Sequence, residues 1–335
     1  MIEYRCYLTI MMRKQQSVPE IFALIISGNE VYEMEIKSTA IIGMGALGMM
    51  YGTHMLDAGE KNVWFVMDEA RVQKYGARTF YKNDKSYQLP MKNCEEMNPA
   101  DLVIVAVKYN ALPSALETMR KCVGEHTVIL SVMNGITSEE MIGERYGKEH
   151  MVYTVAHGMD AMKFGEKLTY TKMGELRIGA REACQEKNVK AVEAYFDRIH
   201  MPYHVDEDIM HRLWSKFMLN VGINQTCMVY ETNYGGCLVK GEPNRTMIAA
   251  MREVIALAQA EGIALGEADL NEYIGILRTL LPEGMPSMRQ DGVARRKSEV
   301  EMFAGTVLRL AKKHGLYVPA NEFLYECVKE MEAKY

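Results

Sequence analysis

Lys216, Asn220 and Asn224 recur at i, i+4 and i+8 in an otherwise apolar run. On a helix that spacing puts one amine and two amides in a single stripe on one face. Trp214, Phe217, Met218, Leu219, Val221 and Ile223 set apolar side chains on nearly every side of the same helix. A buried polar group left unpaired costs about 1–3 kcal/mol. The stripe therefore reads as one wall of a cleft that supplies its partners. A stripe facing water is the alternative, and it fits poorly with apolar residues all round.

A second set of residues points to a nucleotide. Ala40-Ile41-Ile42 runs into Gly43-Met44-Gly45-Ala46-Leu47-Gly48, a G-x-G-x-x-G directly after a β-branched strand and directly before a helical pattern. Gly43 allows the tight turn, Gly45 lets the backbone approach a pyrophosphate, and Gly48 lets helix and strand pack closely. The helix N-terminus adds free N–H groups and a positive dipole end. Asp68 stands twenty positions past Gly48, at the end of the apolar run Val63–Met67. An acid there accepts hydrogen bonds from the adenine ribose hydroxyls and repels a 2′-phosphate. Arg71 could serve the opposite purpose. Both could equally well only cap the next helix.

Lys108 follows the clearest strand of the chain, Asp101–Val107, at the carboxyl end where open α/β sheets bind ligands. It could neutralise a phosphate or orient a carboxylate, or be a surface lysine on a loop. Asn134-Gly135 ends the strand Val128–Met133 at the same sheet edge. The pair is a turn signal, and its position makes Asn134 a candidate cofactor contact.

The elements that must position these residues read as two blocks. Strands at Ala40–Ile42, Val63–Met67, Asp101–Val107, Val128–Met133 and Met151–Ala156 alternate with helices, beginning with Ala46–Ala58, which predicts a doubly wound parallel sheet. Phe80–Leu89 predicts a small hairpin or edge excursion. Lys167–Ile178 predicts another hairpin around Met173-Gly174, and Lys187–Arg198 a covering helix. Beyond Met201-Pro202 the period is helical. Asp206–Tyr230 is one long helix, broken by Tyr234-Gly235-Gly236. Glu242–Glu261 and Glu267–Leu280 follow. A helix from Ser287 through Leu310 ends at Gly315, Pro319 marks a turn, and Glu322–Ala333 closes the chain. The expected division is a Rossmann-type dinucleotide-binding domain over residues 34–203 and an all-helical domain over 204–335. Residues 1–33 show no recognisable fold unit and read as a dispensable extension.

Bulk properties narrow the function. At 335 residues, two domains are the expectation. A hydrophobic content of 48%, 25% charged residues and a net charge of −5 give no broad electrostatic case for nucleic acid or an anionic membrane. Seven scattered cysteines without a C-x-x-C fit reduced thiols in a cytosol, and the eight histidines suggest no metal centre. No apolar run approaches the ~20 residues needed to span a bilayer.

From Met34 to Tyr335 the chain resembles the ketopantoate reductase family. The resemblance is carried by Gly43–Gly48, Val107-Lys108, Asn134-Gly135, Leu213–Lys216 with Asn220 and Asn224, Ser287-Met288, Ser298–Glu301 and Gly315–Pro319. It implies a Rossmann domain and a helical domain with the active site between them, and reduction of 2-dehydropantoate to (R)-pantoate by NADPH, on the way to coenzyme A. By position it makes Lys216 the proton donor, and Asn220, Asn224 and Ser287 the substrate contacts. Glu299 would touch the cofactor and support the catalytic site. Asn134, and more loosely Met159, would touch the cofactor, along with residues 43–48 and Lys108, while Asp68 and Arg71 are cofactor candidates from their place after the second strand. Two departures matter. Asp68 stands where many members carry an arginine, which leaves NADH open. Tyr234 stands about where some members carry a third substrate asparagine, so another branched 2-oxo acid is the alternative substrate. A non-catalytic dinucleotide-binding regulator is the remaining alternative, and Lys216, Asn220, Asn224, Ser287 and Glu299 together argue against it. The expected partner is a small 2-oxo acid in the cytoplasm. A homodimer is allowed but not implied.

Overall fold

The computed structural model describes residues 34–335, so the reading of residues 1–33 lies outside the described residues. Within that span, residues 35–335 form one compact unit.

The first half is built on β1 (Thr39–Ile42), α1 (Ala46–Asp57), β2 (Val63–Met67), α2 (Glu69–Tyr75), β3 (Phe80–Lys82), β4 (Lys85–Tyr87), β5 (Met91–Asn93) and β6 (Leu102–Val105). It continues with α3 (Leu112–Thr118), β7 (Val128–Ser131), α4 (Ser138–Tyr146), β8 (Met151–His157), β9 (Met162–Phe164), β10 (Lys167–Thr169), β11 (Glu175–Gly179), α5 (Glu186–Arg198) and β12 (Tyr203–Val205). Eight strands make the main sheet in the order β12-β11-β8-β7-β6-β1-β2-β5. The run from β5 to β8 is parallel, while β11 lies antiparallel to β8 and carries β12 parallel to itself. Strands β1, β6 and β7 are buried along their whole length, as continuous apolar runs covered on both faces should be. The chain leaves β1 for β2 on one side and returns to β6 on the other, so β1 and β6 flank the switch point where such sheets bind ligands.

A second, four-stranded sheet, β4-β3-β10-β9, corrects one expectation. Phe80–Leu89 does form a hairpin, but Lys167–Ile178 does not. Strand β10 pairs with β9 and β3, whereas β11 pairs with β8 in the main sheet. The reason lies at Gly174, where φ is +67° and a Cβ would overlap the His157 carbonyl. The glycine marks a close passage beside β8 and not the tip of a two-stranded ribbon.

The second half is helical: α6 (Ile209–Val229), α7 (Tyr234–Leu238), α8 (Glu242–Ala260), α9 (Glu267–Thr279), α10 (Ser287–Val293), α11 (Ala304–His314) and α12 (Pro319–Glu332). Three expectations change here. Tyr234-Gly235-Gly236 opens the short helix α7, capped by the Asn233 side chain on the Gly236 N–H at 3.0 Å. Pro319 begins α12, because a proline costs no hydrogen bond at the first helical position. The helix expected from Ser287 through Leu310 is interrupted between Val293 and Ala304, with Arg295 at φ +48°. The interruption directs residues 298–303 back towards the sheet.

Helix α6 belongs to both halves. Ile209 and Leu213, in its first two turns, pack into the core beneath the sheet with Val105, Ile129 and Tyr153. Trp214, Phe217, Met218 and Val221 pack into the helical core with Met251, Leu324 and Phe303.

Candidate functional site

The glycine loop has the geometry its sequence implies. Gly43 sits at φ +110°, and a Cβ on it would overlap the carbonyl of Ala106 beyond β6. A Cβ on Gly48 would overlap the Gly43 carbonyl, so α1 can lie this close to the strand end only with glycine there. Gly45 is different: the nearest atom to its Cβ position, the Ala106 oxygen, is 3.8 Å away, and the residue is exposed. Met44, Ala46 and Leu47 are half-buried around it. Helix α1 has no side-chain cap, so its first N–H groups have no side-chain acceptor. Open room, uncapped donors and a dipole end are what a pyrophosphate needs.

Next to this loop is a cavity of about 690 Å³. Gly43, Met44, Val66 and Met67 line one side at the ends of β1 and β2; Lys163 of β9, with Gly165 and Glu166 of the β9–β10 turn, contributes to another. Arg71, Lys74 and Arg78 line it as well. Asp68 is the N-cap of α2: its Oδ1 accepts from the Arg71 backbone N–H at 2.8 Å, and its Oδ2 pairs with the Arg71 guanidinium at 3.1 Å.

The helical half meets the carboxyl ends of three parallel strands. Past β6, the Tyr109 N–H donates to Glu299 Oε1 at 3.3 Å, and Lys108 Nζ donates to Asp291 Oδ2 of α10 at 2.9 Å. Arg296 holds the other oxygen of Asp291 at 2.8 Å. Past β7, the loop of Asn134-Gly135 packs on Met302, whose Cγ would be 2.9 Å from a Cβ on Gly135. Near the end of β8, Lys216 Nζ donates to the Ala156 carbonyl at 2.6 Å. Met159 is half-buried in the loop just past β8.

Along α6 the polar stripe is continuous. Asn224 Nδ2 donates to Asn220 Oδ1 at 3.3 Å, and Asn224 Oδ1 accepts from Ser287 Oγ at 3.1 Å and the Met288 N–H at 3.3 Å. Asn220, Asn224 and Ser287 thus form one hydrogen-bonded group, with Lys216 one turn before it on α6.

Burial holds the Lys216 ammonium down to about 8, and the carboxylate of Glu139 acts against that fall. Glu139, in the first turn of α4, is itself pushed up to about 7 by burial. Its Oε2 accepts from Ser138 Oγ at 2.8 Å, and Ser138 Oγ lies 2.8 Å from Ser131 Oγ at the end of β7. Its Oε1 is buried without a hydrogen-bond partner. Burial lowers His157 too, and Lys216 lowers it further. Burial raises Glu299, against the pull of the Tyr109 N–H and Lys108. An ammonium with a pKa near neutrality, coupled to one buried acid, can give a proton to an oxygen that gains charge.

Glu139, Tyr109, Asp291, His157, Lys74, Arg78 and Lys163 are absent from the reading of the sequence. Glu139 and Glu140 look alike in a first helical turn, yet one is buried and the other exposed. Nothing in the local pattern separates them. Among the described residues no group of three or more His, Cys, Asp or Glu is placed to hold a metal ion, and no helix is long and apolar enough to cross a membrane.

Comparison with known proteins adds a lineage. The family model described as "Ketopantoate reductase PanE/ApbA" matches residues 39–183, and "Ketopantoate reductase PanE/ApbA C terminal" matches residues 208–332. The 2-dehydropantoate 2-reductase of Vibrio cholerae is 25% identical over 299 residues, spanning 88% of this chain and 98% of the relative. That of Halobacterium salinarum is 30% identical over 234 residues, 69% of this chain and 75% of the relative. Among solved structures, a PanE/ApbA family ketopantoate reductase from Ralstonia eutropha superposes with a TM-score of 0.75 at 25% identity, covering 89% of this chain and 99% of that one. A D-mandelate dehydrogenase solved with NADH and anilino(oxo)acetate has the same fold, with a TM-score of 0.78 at 21% identity over 89% of this chain and 98% of that one.

Proposed function

The chain belongs to the ketopantoate reductase family of oxidoreductases, and from that premise we propose that it reduces 2-dehydropantoate to (R)-pantoate with NADPH in the cytoplasm. The sheet half (residues 34–203) takes the cofactor, and the helical half (residues 204–335) takes the 2-oxo acid. The observation that carries the reading is the Lys216 ammonium, held at the end of β8 by the Ala156 carbonyl with its pKa near 8.

The nicotinamide, when bound, supplies the hydride to the C2 carbonyl carbon. Lys216 stabilises the charge that builds on the C2 oxygen and delivers the proton to it. Asn220, Asn224 and Ser287 grip the carboxylate and hydroxyl, since amides donate to one and accept from the other. Glu299 fixes the loop past β6 through the Tyr109 N–H, beside Lys108. Residues 43–48 hold the pyrophosphate, with Asn134 and Met159 at the nicotinamide end. NADPH is favoured over NADH because the cavity beside the glycine loop carries four cations, Arg71, Lys74, Arg78 and Lys163, against the two carboxylates Asp68 and Glu166 that pair with the arginines.

Tyr234 supports a second reading, a different branched 2-oxo acid. It is half-buried, its hydroxyl pushed up to about 12 by burial, and it fills the approximate place of a family asparagine. A panel of about ten 2-oxo acids, each with NADPH and NADH and ranked by kcat/KM, tests both readings. The main reading expects 2-dehydropantoate with NADPH to rank first. Another branched acid ranking first transfers support to the second reading, and no turnover of any 2-oxo acid rejects both.

A further inference from the structure

The cavity at the ends of β1 and β2 is charged unevenly. Arg71 is neutralised by Asp68 at 3.1 Å, and Arg78 is paired with Glu166. Lys74 and Lys163 have no carboxylate within 4 Å among the described residues, the limit for an ion pair. Lys74 rests on the Tyr75 ring, 5.1 Å from its centroid, and Lys163 on the Phe80 ring at 6.0 Å. Lys163 uses one of its three N–H donors on the Gly165 carbonyl, at 2.7 Å. It is half-buried, and burial lowers its pKa. Glu166, already paired with Arg78, opposes that fall from beyond ion-pair distance, and a half-buried cation so weakly compensated is stabilised further by an anion that joins it.

The chain takes trouble to deliver it. Lys163 is on β9, almost a hundred positions beyond Asp68, on a ribbon inserted between β8 and β11. Strand β10 docks that ribbon on β3, with Tyr81 N–H on the Glu166 carbonyl at 3.0 Å and Asn83 N–H on the Leu168 carbonyl at 2.8 Å. Leu168 is fully buried beneath it. Phe80 and Tyr75 add flat apolar surface next to the cations.

We propose that this second sheet decides the choice of cofactor: Lys163, seconded by Lys74, holds the 2′-phosphate of the adenosine ribose, while Asp68 and Arg71 act as a self-neutralised helix cap. The inference rests on the dinucleotide reading of residues 43–48. It relocates the discrimination from the end of β2 to a ribbon far along the chain. The Asp68 carboxylate, occupied by two bonds to Arg71, neither recruits the ribose hydroxyls nor repels the phosphate strongly. The two unpaired lysines give the dianion a partner that a bare 2′-hydroxyl does not need.

The test measures binding of adenosine 2′,5′-bisphosphate and of 5′-AMP to the full chain by calorimetry, alongside circular dichroism to confirm folding. The unmodified chain should prefer the bisphosphate by about ten-fold or more, and Lys163→Met should remove about ten-fold of bisphosphate affinity, the effect of one charge-assisted contact. Binding of 5′-AMP should change by less than about two-fold. Lys163→Arg should keep the preference, and Asp68→Ala should leave it unchanged. A preference that survives Lys163→Met, or one that moves with Asp68→Ala instead, overturns the inference and leaves the NADPH reading standing. Equal binding of both probes by the unmodified chain overturns both. Should Lys163→Met unfold the ribbon, Lys163→Gln and Lys163→Arg carry the same comparison.

Discussion

The proton-donor role proposed for Lys216 needs it charged, yet it stands where charge is expensive. Its ordinary pKa of 10.5 falls to about 8 in the folded chain, so between those values the unfolded chain binds a proton that the folded chain does not. Folding therefore carries a penalty below about pH 8 that is relieved as pH rises towards 10.5. Lys216→Met should lower kcat by about 10² or more with little change in cofactor affinity. At pH 7 it should also raise Tm by about 2–4 °C, because a costly charge is gone. Steady-state kinetics and a thermal scan read both; normal turnover rejects the proton-donor role. The same pKa fixes the pH dependence. The protonated form is lost above about 8, so kcat should fall as pH climbs through that value. Glu139 on α4 raises the Lys216 pKa, and Lys216 in turn lowers that of His157 on β8. Glu139→Gln should move the alkaline limb of the kcat profile to lower pH. A merely structural Glu139 would depress kcat equally at every pH. The stripe of Lys216, Asn220 and Asn224 was legible because its spacing is a helical period. Glu139 was not, since which of two adjacent acids turns inward depends on how α4 sits against β7.

At the scale of elements, the strand–loop–helix unit around Gly43 was legible because each glycine answers a steric demand that sequence encodes locally. Those demands differ, and the difference is testable. Gly48→Ala drives a Cβ into the Gly43 carbonyl and should cost about 1–3 kcal/mol of stability, the usual range for overpacking. Gly45→Ala meets nothing closer than 3.8 Å and should leave Tm almost unchanged. It should weaken NADPH binding by about ten-fold or more, because its methyl occupies the room the pyrophosphate needs. Thermal scans and nicotinamide fluorescence separate the two effects; equal losses of Tm would show that Gly45 only shapes the turn. Less was legible where partners lie far apart in sequence. Lys167–Thr169 and Glu175–Gly179 each alternate as strands, but they enter different sheets. Alternation reports a half-buried strand and says nothing about its neighbour. The helical period from Ser287 onward likewise hid the turn at Arg295, which exists to bring Glu299 to the Tyr109 N–H.

For the whole molecule, the composition shift near residue 203 points to two halves, and chains of two domains commonly unfold in two steps. Here one helix enters both cores. Ile209 and Leu213 of α6 are buried under the sheet, and Phe217, Met218 and Val221 of the same helix are buried among α8, α11 and α12. The halves are also tied by Lys108 to Asp291 and by Tyr109 to Glu299. A helix cannot melt at one end of its core and stay packed in the other without losing the turns that carry Lys216. The chain should therefore unfold in a single calorimetric transition. Leu213→Ala, a buried truncation costing about 2–5 kcal/mol, should lower that one transition without splitting it. NADPH at about a hundred times its Kd should raise the stability of both halves together by about 2.7 kcal/mol, although its proposed site lies chiefly in one of them. Two separate transitions, with only the lower or the upper one moved by NADPH, would show instead that α6 hinges between independent domains.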